Sequence, residues 1–216
     1  MTKTERTPAL QAAALMVWLV GITAATACDT TAHPQPATTG TTSRISTDQI
    51  HAAPAHLKSV IFHGITLPVA DQGPHHDDGT VADGYERSPV GAALAAIQAT
   101  VRMSVADDSQ FARIGIRMIA SGSARREWGV ARAQKSITTS SKTPPVLLGY
   151  RVRTYSPDSA EIEIYTRQPD NSLTCNTARV VWQSNDWKLL LPNAIHEKLV
   201  TVVSATPADM TSLRLR

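Results

Sequence analysis

Two stretches around Ser156-Pro157-Asp158 mirror each other in charge and hydropathy. That symmetry constrains the fold more than any other feature of the chain. With a turn at those three residues, antiparallel partners have position numbers of constant sum. Arg153 then faces Glu161, Arg151 faces Glu163, Val152 faces Ile162 and Tyr150 faces Ile164. Opposite charges meet on one face and apolar side chains on the other, and a slip of one residue would destroy both sets of pairs. A second hairpin follows, joined through Pro169-Asp170-Asn171-Ser172. Ala178, Val180 and Trp182 alternate in one strand, and Trp187, Leu189 and Leu191 in the next. A tight turn at Asn185-Asp186 would set Trp182 against Leu189 and Val180 against Leu191, all facing inward. The apolar run at residues 199–203 can add a further strand. Met210 and Leu213 are expected to pack back, and Leu215-Arg216 to fray.

Upstream of residue 146 the period is helical. Ser88-Pro89 opens a helix, because Ser can cap it and proline suits a first turn whose N–H groups have no partner anyway. Val90, Leu94, Ile97, Val101 and Val105 share one face. Gly91 and the alanines at 92, 93, 95, 96 and 99 keep the rest thin, so another element can approach closely. The spacing predicts a second helix over residues 109–120, with Phe111, Ile114, Gly115 and Met118 inward and Arg113 and Arg117 outward. A third over 124–137 has Trp128 and Ala131 inward. Before these helices, residues 60–68 read as an opening strand. Residues 71–84 read as a loop, marked by Gly73-Pro74, His75-His76-Asp77-Asp78-Gly79 and Asp83-Gly84. Strand, helices, then an antiparallel meander of four or more strands make an α+β layout, with two or three helices packed on one face of a curved sheet.

The N-terminus carries a different message. Lys3 and Arg6 form a basic start, residues 8–27 are uncharged and mostly apolar, and Ala24-Ala25-Thr26-Ala27 precede Cys28. Charged, apolar, then small is the order of a secretory signal. A cysteine directly after small residues resembles a bacterial lipobox, which implies lipidation of Cys28. Ala25 stands where such boxes usually carry Leu, Val or Ile. Three outcomes stay open: a lipoprotein, cleavage near Ala27 without lipid, and an uncleaved membrane helix. All three put the remainder outside the cytoplasm. Residues 29–56, rich in Thr, Ala, Pro and Ser, read as a disordered tether with an end-to-end distance of about 30 Å. The domain boundaries are thus 1–28, 29–56 and 57–216.

Composition narrows the functions. A net charge of +3 is far from a dedicated nucleic-acid surface. Arg113, Arg117, Arg125 and Arg126, with Arg132 and Lys135, make the helical region basic. No aromatic pattern lies between them for stacking bases, so a partner protein or anionic surface suits them better than DNA. His75-His76-Asp77-Asp78 holds metal-type ligands, but adjacent residues rarely share one ion and no helix-spaced His pair or paired cysteines support them. No metal and no cofactor are expected. Tyr150, Trp182 and Trp187 fall on the inward face and are candidates for a ligand pocket, or simply core. An isomerase on such a sheet would need an inward carboxylate. None is read in the strands, and Glu161 and Glu163 are matched to arginines outside, so no catalytic residue is assigned. Cys175 reads as a small strand residue.

Three stretches carry a family resemblance: Gly84-Tyr85-Glu86-Arg87-Ser88-Pro89-Val90-Gly91-Ala92-Ala93-Leu94-Ala95-Ala96; Tyr150-Arg151-Val152 through Tyr155-Ser156-Pro157-Asp158-Ser159-Ala160; and Val180-Val181-Trp182 with Asp186-Trp187-Lys188-Leu189. Over residues 60–192 the chain resembles uncharacterised actinobacterial exported proteins with an NTF2-like, cone-shaped domain, many of them associated with conjugative or other mobile elements. Type IV secretion assembly proteins of the VirB8 kind are similar at the level of fold. The resemblance implies a membrane-tethered, non-enzymatic module working through contact with an envelope protein. The alternative is a lipoprotein that binds a small ligand in the cone's pocket, and an NTF2-like isomerase or hydrolase stands behind both. For the N-terminus, intact mass after membrane extraction is expected to give a chain that starts at Cys28 with added acyl mass, lost in Cys28→Ala. A chain still carrying residues 1–27 would establish the uncleaved helix instead.

Overall fold

The long helix expected after Ser88-Pro89 organises the structure. The computed structural model describes residues 47–138, 143–193 and 199–215. Cys28 and the signal segment lie outside them, as does the tether up to residue 46. The elements run α1 (Thr47–Ile50), β1 (Lys58–Phe62), β2 (Ile65–Val69), β3 (His76–Asp77), β4 (Ala82–Asp83), α2 (Pro89–Val105), α3 (Phe111–Met118) and α4 (Ser123–Ala133). Then follow β5 (Val146–Tyr155), β6 (Ser159–Arg167), β7 (Leu173–Gln183), β8 (Asp186–Leu190), β9 (Val200–Val203) and β10 (Thr211–Ser212). The fold is α+β with one large antiparallel sheet. Its order is β10-β5-β6-β7-β8, and β9 pairs with β7 along the part that β8 does not reach.

The Ser88 hydroxyl accepts the Gly91 N–H at 3.1 Å, and Pro89 fills the first turn of α2. One side of α2 crosses β5 to β8, and the other meets β2, β4 and α3. Being covered on both sides, residues 89–99 are all buried. The alanines make this possible, since a larger side chain at each would hold the sheet off. Gly91 shows the limit, because a Cβ there would lie 2.1 Å from the Glu86 carbonyl oxygen.

The first hairpin pairs Tyr150 with Ile164, Arg151 with Glu163 and Val152 with Ile162, as the mirror symmetry requires. A bulge at Arg153 then advances the register, so Thr154 faces Glu161. Arg153 turns back to Glu163 at 3.4 Å, and Glu161 takes Arg179 on β7 at 3.0 Å. The second hairpin departs further. Its turn is Ser184-Asn185, both at positive φ as a two-residue hairpin turn needs, so Trp182 faces Trp187 and Val180 faces Leu189. The single opening strand is also two strands, β1 and β2, reversing at His63-Gly64 with φ of 47° and 85°.

Other differences are local. Helix α4 ends at Ala133; Trp128 packs inward on Phe111 and Gly115 as expected, but Ala131 is exposed and Arg132 is buried. Arg132 is held by Asp108 at 3.0 Å and by the Ala106 carbonyl at 2.8 Å, with Phe111 under its guanidinium. Residues 47–56, assigned to the tether, include α1 and pack on the domain. Ile50 and Ala52 lie against the core, Asp71 N–H donates to the Ala55 carbonyl at 3.0 Å, and the Tyr150 hydroxyl reaches the Ala52 carbonyl at 3.5 Å. At the other end Leu213 is buried, and Leu215, expected to fray, packs against the core. Arg216 lies outside the described residues.

These close contacts predict opposite results for two glycines. Gly91→Ala is expected to destabilise by about 3 kcal/mol through overpacking. Gly129→Ala, within α4 and with nothing near its would-be Cβ, is expected to stabilise by up to about 1 kcal/mol. Urea unfolding of both variants checks the pair.

Candidate interaction surface

The loop from Asp71 to Arg87 puts Val81, Ala82 and Tyr85 into the core and is held besides by carboxylates. Asp77 clasps Arg102 of α2 through both terminal guanidinium nitrogens, at 3.1 and 2.6 Å. Asp186, the first residue of β8, accepts the N–H groups of Gly84 at 3.2 Å, Tyr85 at 3.0 Å and Trp187 at 2.9 Å, and pairs with Lys188 at 2.9 Å. It is the buried strand carboxylate that the sequence reading did not find, because Asp186 was expected in the turn. Its oxygens are occupied by these donors. Asp78 accepts the N–H groups of Thr80 at 2.9 Å and Val81 at 2.8 Å.

This fixed loop presents Asp78 and Asp83 to the outer face of α3. Arg113 bonds Asp78, and Arg117 bonds Asp83 at 2.5 Å. Beside the two arginines on the same helix stands Ile116, 70% exposed. Arg125, from the start of α4, donates to the carbonyls of Ile116 at 3.5 Å and Ile119 at 3.4 Å, where the last carbonyls of α3 need donors. Arg126 is exposed beside it. Ile116 stands with Arg117 and Asp83 on a ridge shared by two depressions. One, of about 740 Å³, is walled by His75, His76, Asp78 and Arg113. The other, of about 470 Å³, is walled by Ser121, Arg125, Gln183 and Lys188. The four arginines singled out in the sequence belong to α3 and α4, the two helices that form this face, and two of them are anchored by carboxylates of the chain itself. Ile116 was missed, although its sequence signal exists: it sits about 200° round the helix from Ile114, off the inner stripe.

The other candidates resolve differently. Tyr150 and Trp187 are 0% and 2% exposed. The Trp187 indole N–H donates to the Glu86 carbonyl at 3.0 Å, and burial pushes the Tyr150 phenol up. Trp182 is half-buried, edge-on to Trp187 at 5.4 Å, and stacked under the Arg87 guanidinium. Trp182 and Trp187 form an aromatic cluster with Tyr155, in which Tyr150 takes no ring contact. Asp77 and Asp78 of the His-His-Asp-Asp run are committed to Arg102 and Arg113, and no group of three or more metal-type ligands converges among the described residues. Cys175 is buried, and burial raises its thiol.

A family model described as a domain of unknown function (DUF8175) matches residues 22–212. No curated protein and no solved structure matches the chain.

The loop carries a pH signature. The N–H groups of Val81 and Thr80 and the Arg113 guanidinium hold the Asp78 carboxyl below its ordinary value. A carboxylate lowered by folding contributes stability above its unfolded value, about 3.9, and loses it as pH falls through the folded value. Melting temperature is therefore expected to drop below about pH 4. Asp78→Asn is expected to melt lower at pH 7 and to show a flatter acid limb, read by thermal melts from pH 7 to 2.

Proposed function

The chain belongs to the DUF8175 family of domains of unknown function, and we propose that it is a membrane-tethered, extracytoplasmic module that acts by binding an envelope protein rather than by catalysis. In this reading the domain is a cone of the NTF2-like kind, with α2 lying in its sheet. The segment ending at Cys28 provides the attachment, by lipid or as an uncleaved helix. Among the described residues no helix is long and apolar enough to cross a membrane. A conjugation- or secretion-type apparatus is the setting that the resemblance of the motifs suggests.

The observation that carries the reading is the exposed Ile116 beside Arg113 and Arg117 on α3. An isoleucine this exposed gains about 1.5–3 kcal/mol when a partner covers it. The flanking arginines are held by Asp78 and Asp83, so little side-chain freedom is lost when a partner docks. Their aliphatic stems extend the apolar strip, and Arg125 and Arg126 add a positive margin. An apolar contact with an arginine surround is the composition of a binding hot spot, and the margin favours a partner with an acidic rim.

A photo-crosslinking residue at position 116 of the full-length chain, in its native membrane, is expected to capture one envelope protein. The same residue at Ile61, equally exposed on β1, should not. Ile116→Asp is expected to cut co-purification of that protein at least about tenfold with an unchanged melting temperature. Equal capture from both positions, or undiminished co-purification, would overturn the reading.

A further inference from the structure

Beyond Ala99 the close fit of α2 to the sheet ends, and a chamber of about 360 Å³ opens. Thr100 and Met103 of α2 form one wall, and Asn176 of β7 with Leu189, Leu191 and Val200 form the others. The volume is within the range of small-molecule sites, about 300–1,000 Å³. Val200 and Val202, 54% and 76% exposed, leave an apolar lip beside it.

Polar and apolar residues share this lining: Thr100, Ser104, Asn176, Thr177, Arg179 and Asn193 stand among the leucines, valine and methionine, and two of the polar groups matter most. Asn176 occupies a position between Ile164 on β6 and Val200 on β9, on the face where Ile162, Ile164, Ala178 and Val180 are buried. Its side-chain amide has no hydrogen-bond partner among the described residues. Thr100 Oγ1 is the one buried hydroxyl oxygen among the described residues without a partner. Its backbone carbonyl, by contrast, is served by the Ser104 hydroxyl at 2.7 Å. A buried hydroxyl left unpaired costs about 1–3 kcal/mol, and threonine in a helix has two χ1 rotamers available to turn it towards the open space. The charged side chain at the wall, Arg179, is paired with Glu161 at 3.0 Å, so its charge is already balanced within the sheet and an uncharged head suits the lining better than an ionised one.

We propose that this chamber binds an uncharged lipid-like molecule, a medium-length acyl chain ending in a hydroxyl- or ester-bearing head. The acyl chain lies against Met103, Leu189 and Leu191, and the head pairs with the Asn176 amide and the Thr100 hydroxyl. The site is separate from the α3 ridge, and neither reading rests on the other.

Native mass spectrometry of the full-length, membrane-extracted protein titrated with 1-monodecanoylglycerol tests it. One saturable adduct per chain is expected, with decanoate binding at least tenfold more weakly. Asn176→Leu, which keeps the size of the side chain and removes its amide, is expected to weaken monodecanoylglycerol at least fivefold. Met103→Trp, which fills the chamber, is expected to abolish the adduct, and Ile116→Asp to leave it unchanged. Melting temperatures of the variants establish that each is folded. Absence of a saturable adduct, equal binding of decanoate, or binding indifferent to both chamber variants in folded protein would overturn the proposal.

Discussion

A buried arginine sets the terms for the half of the molecule outside the sheet. Arg102 is 1% exposed in the middle of the fold, and an ionised group so placed persists only with its charge and its donors satisfied. Asp77 supplies the charge, Gln98 one turn earlier accepts the Nε–H at 2.9 Å, and the Phe62 ring lies under the guanidinium. Gln98 in turn donates to the Pro68 carbonyl at 2.9 Å. The chain Pro68–Gln98–Arg102–Asp77 joins the β1–β2 hairpin, the central helix and the loop before it in one polar line. Removing the Asp77 carboxylate or the Gln98 amide strands the buried Arg102 charge or its Nε–H, which costs more than the pair itself contributes.

The second anchor, Asp186, explains the second hairpin's register. Asn185-Asp186 reads locally as a turn, because both residues favour turn conformations. Moving the turn back to Ser184-Asn185 frees Asp186 to start β8 with its carboxylate buried, where Gly84, Tyr85 and Trp187 donate to it. Two of these donors, Gly84 and Tyr85, are about a hundred positions away, so no window around the turn could disclose them. Asp77 and Asp186 then hold the loop at its middle and its end. That is why Asp78 and Asp83 stand where α3 can use them, and why Arg113 and Arg117 are ordered around Ile116.

The legible and illegible parts divide along the same line. The Ser88-Pro89 cap, the α2 stripe and the Tyr150, Arg151 and Val152 pairs depend on neighbours in sequence or on one short turn, and they could be read. The Arg153 bulge could not, because Glu161 has a choice of arginines and takes Arg179 from the next strand. Nor could the burial of Arg132 on α4. Trp128 packs on Phe111 and Gly115 as its spacing implies, while Arg132 is drawn inward by Asp108 and the Phe111 ring. Of the candidate surface, the arginines were visible as a basic cluster. Their partners were hidden in a loop whose His-His-Asp-Asp run suggests metal before it suggests ion pairing.

The shape of α2 also accounts for where space is left. Its first three turns are nearly all Gly and Ala on the faces not occupied by Val90, Leu94 and Ile97, so sheet and hairpin close on it without gaps. From Thr100 onward the run of alanines gives way to larger side chains. Val101, Met103 and Val105 are only partly buried, and the sheet opposite has changed strand, with β9 replacing β8 beside β7. A helix that can no longer be approached closely, facing a sheet edge built from a separate short strand, leaves a gap that neither element fills. Asn176 sits at that junction, where an inward leucine or isoleucine would close part of the gap. The polar residue at this position is the local inconsistency that marks the chamber as more than a packing remainder.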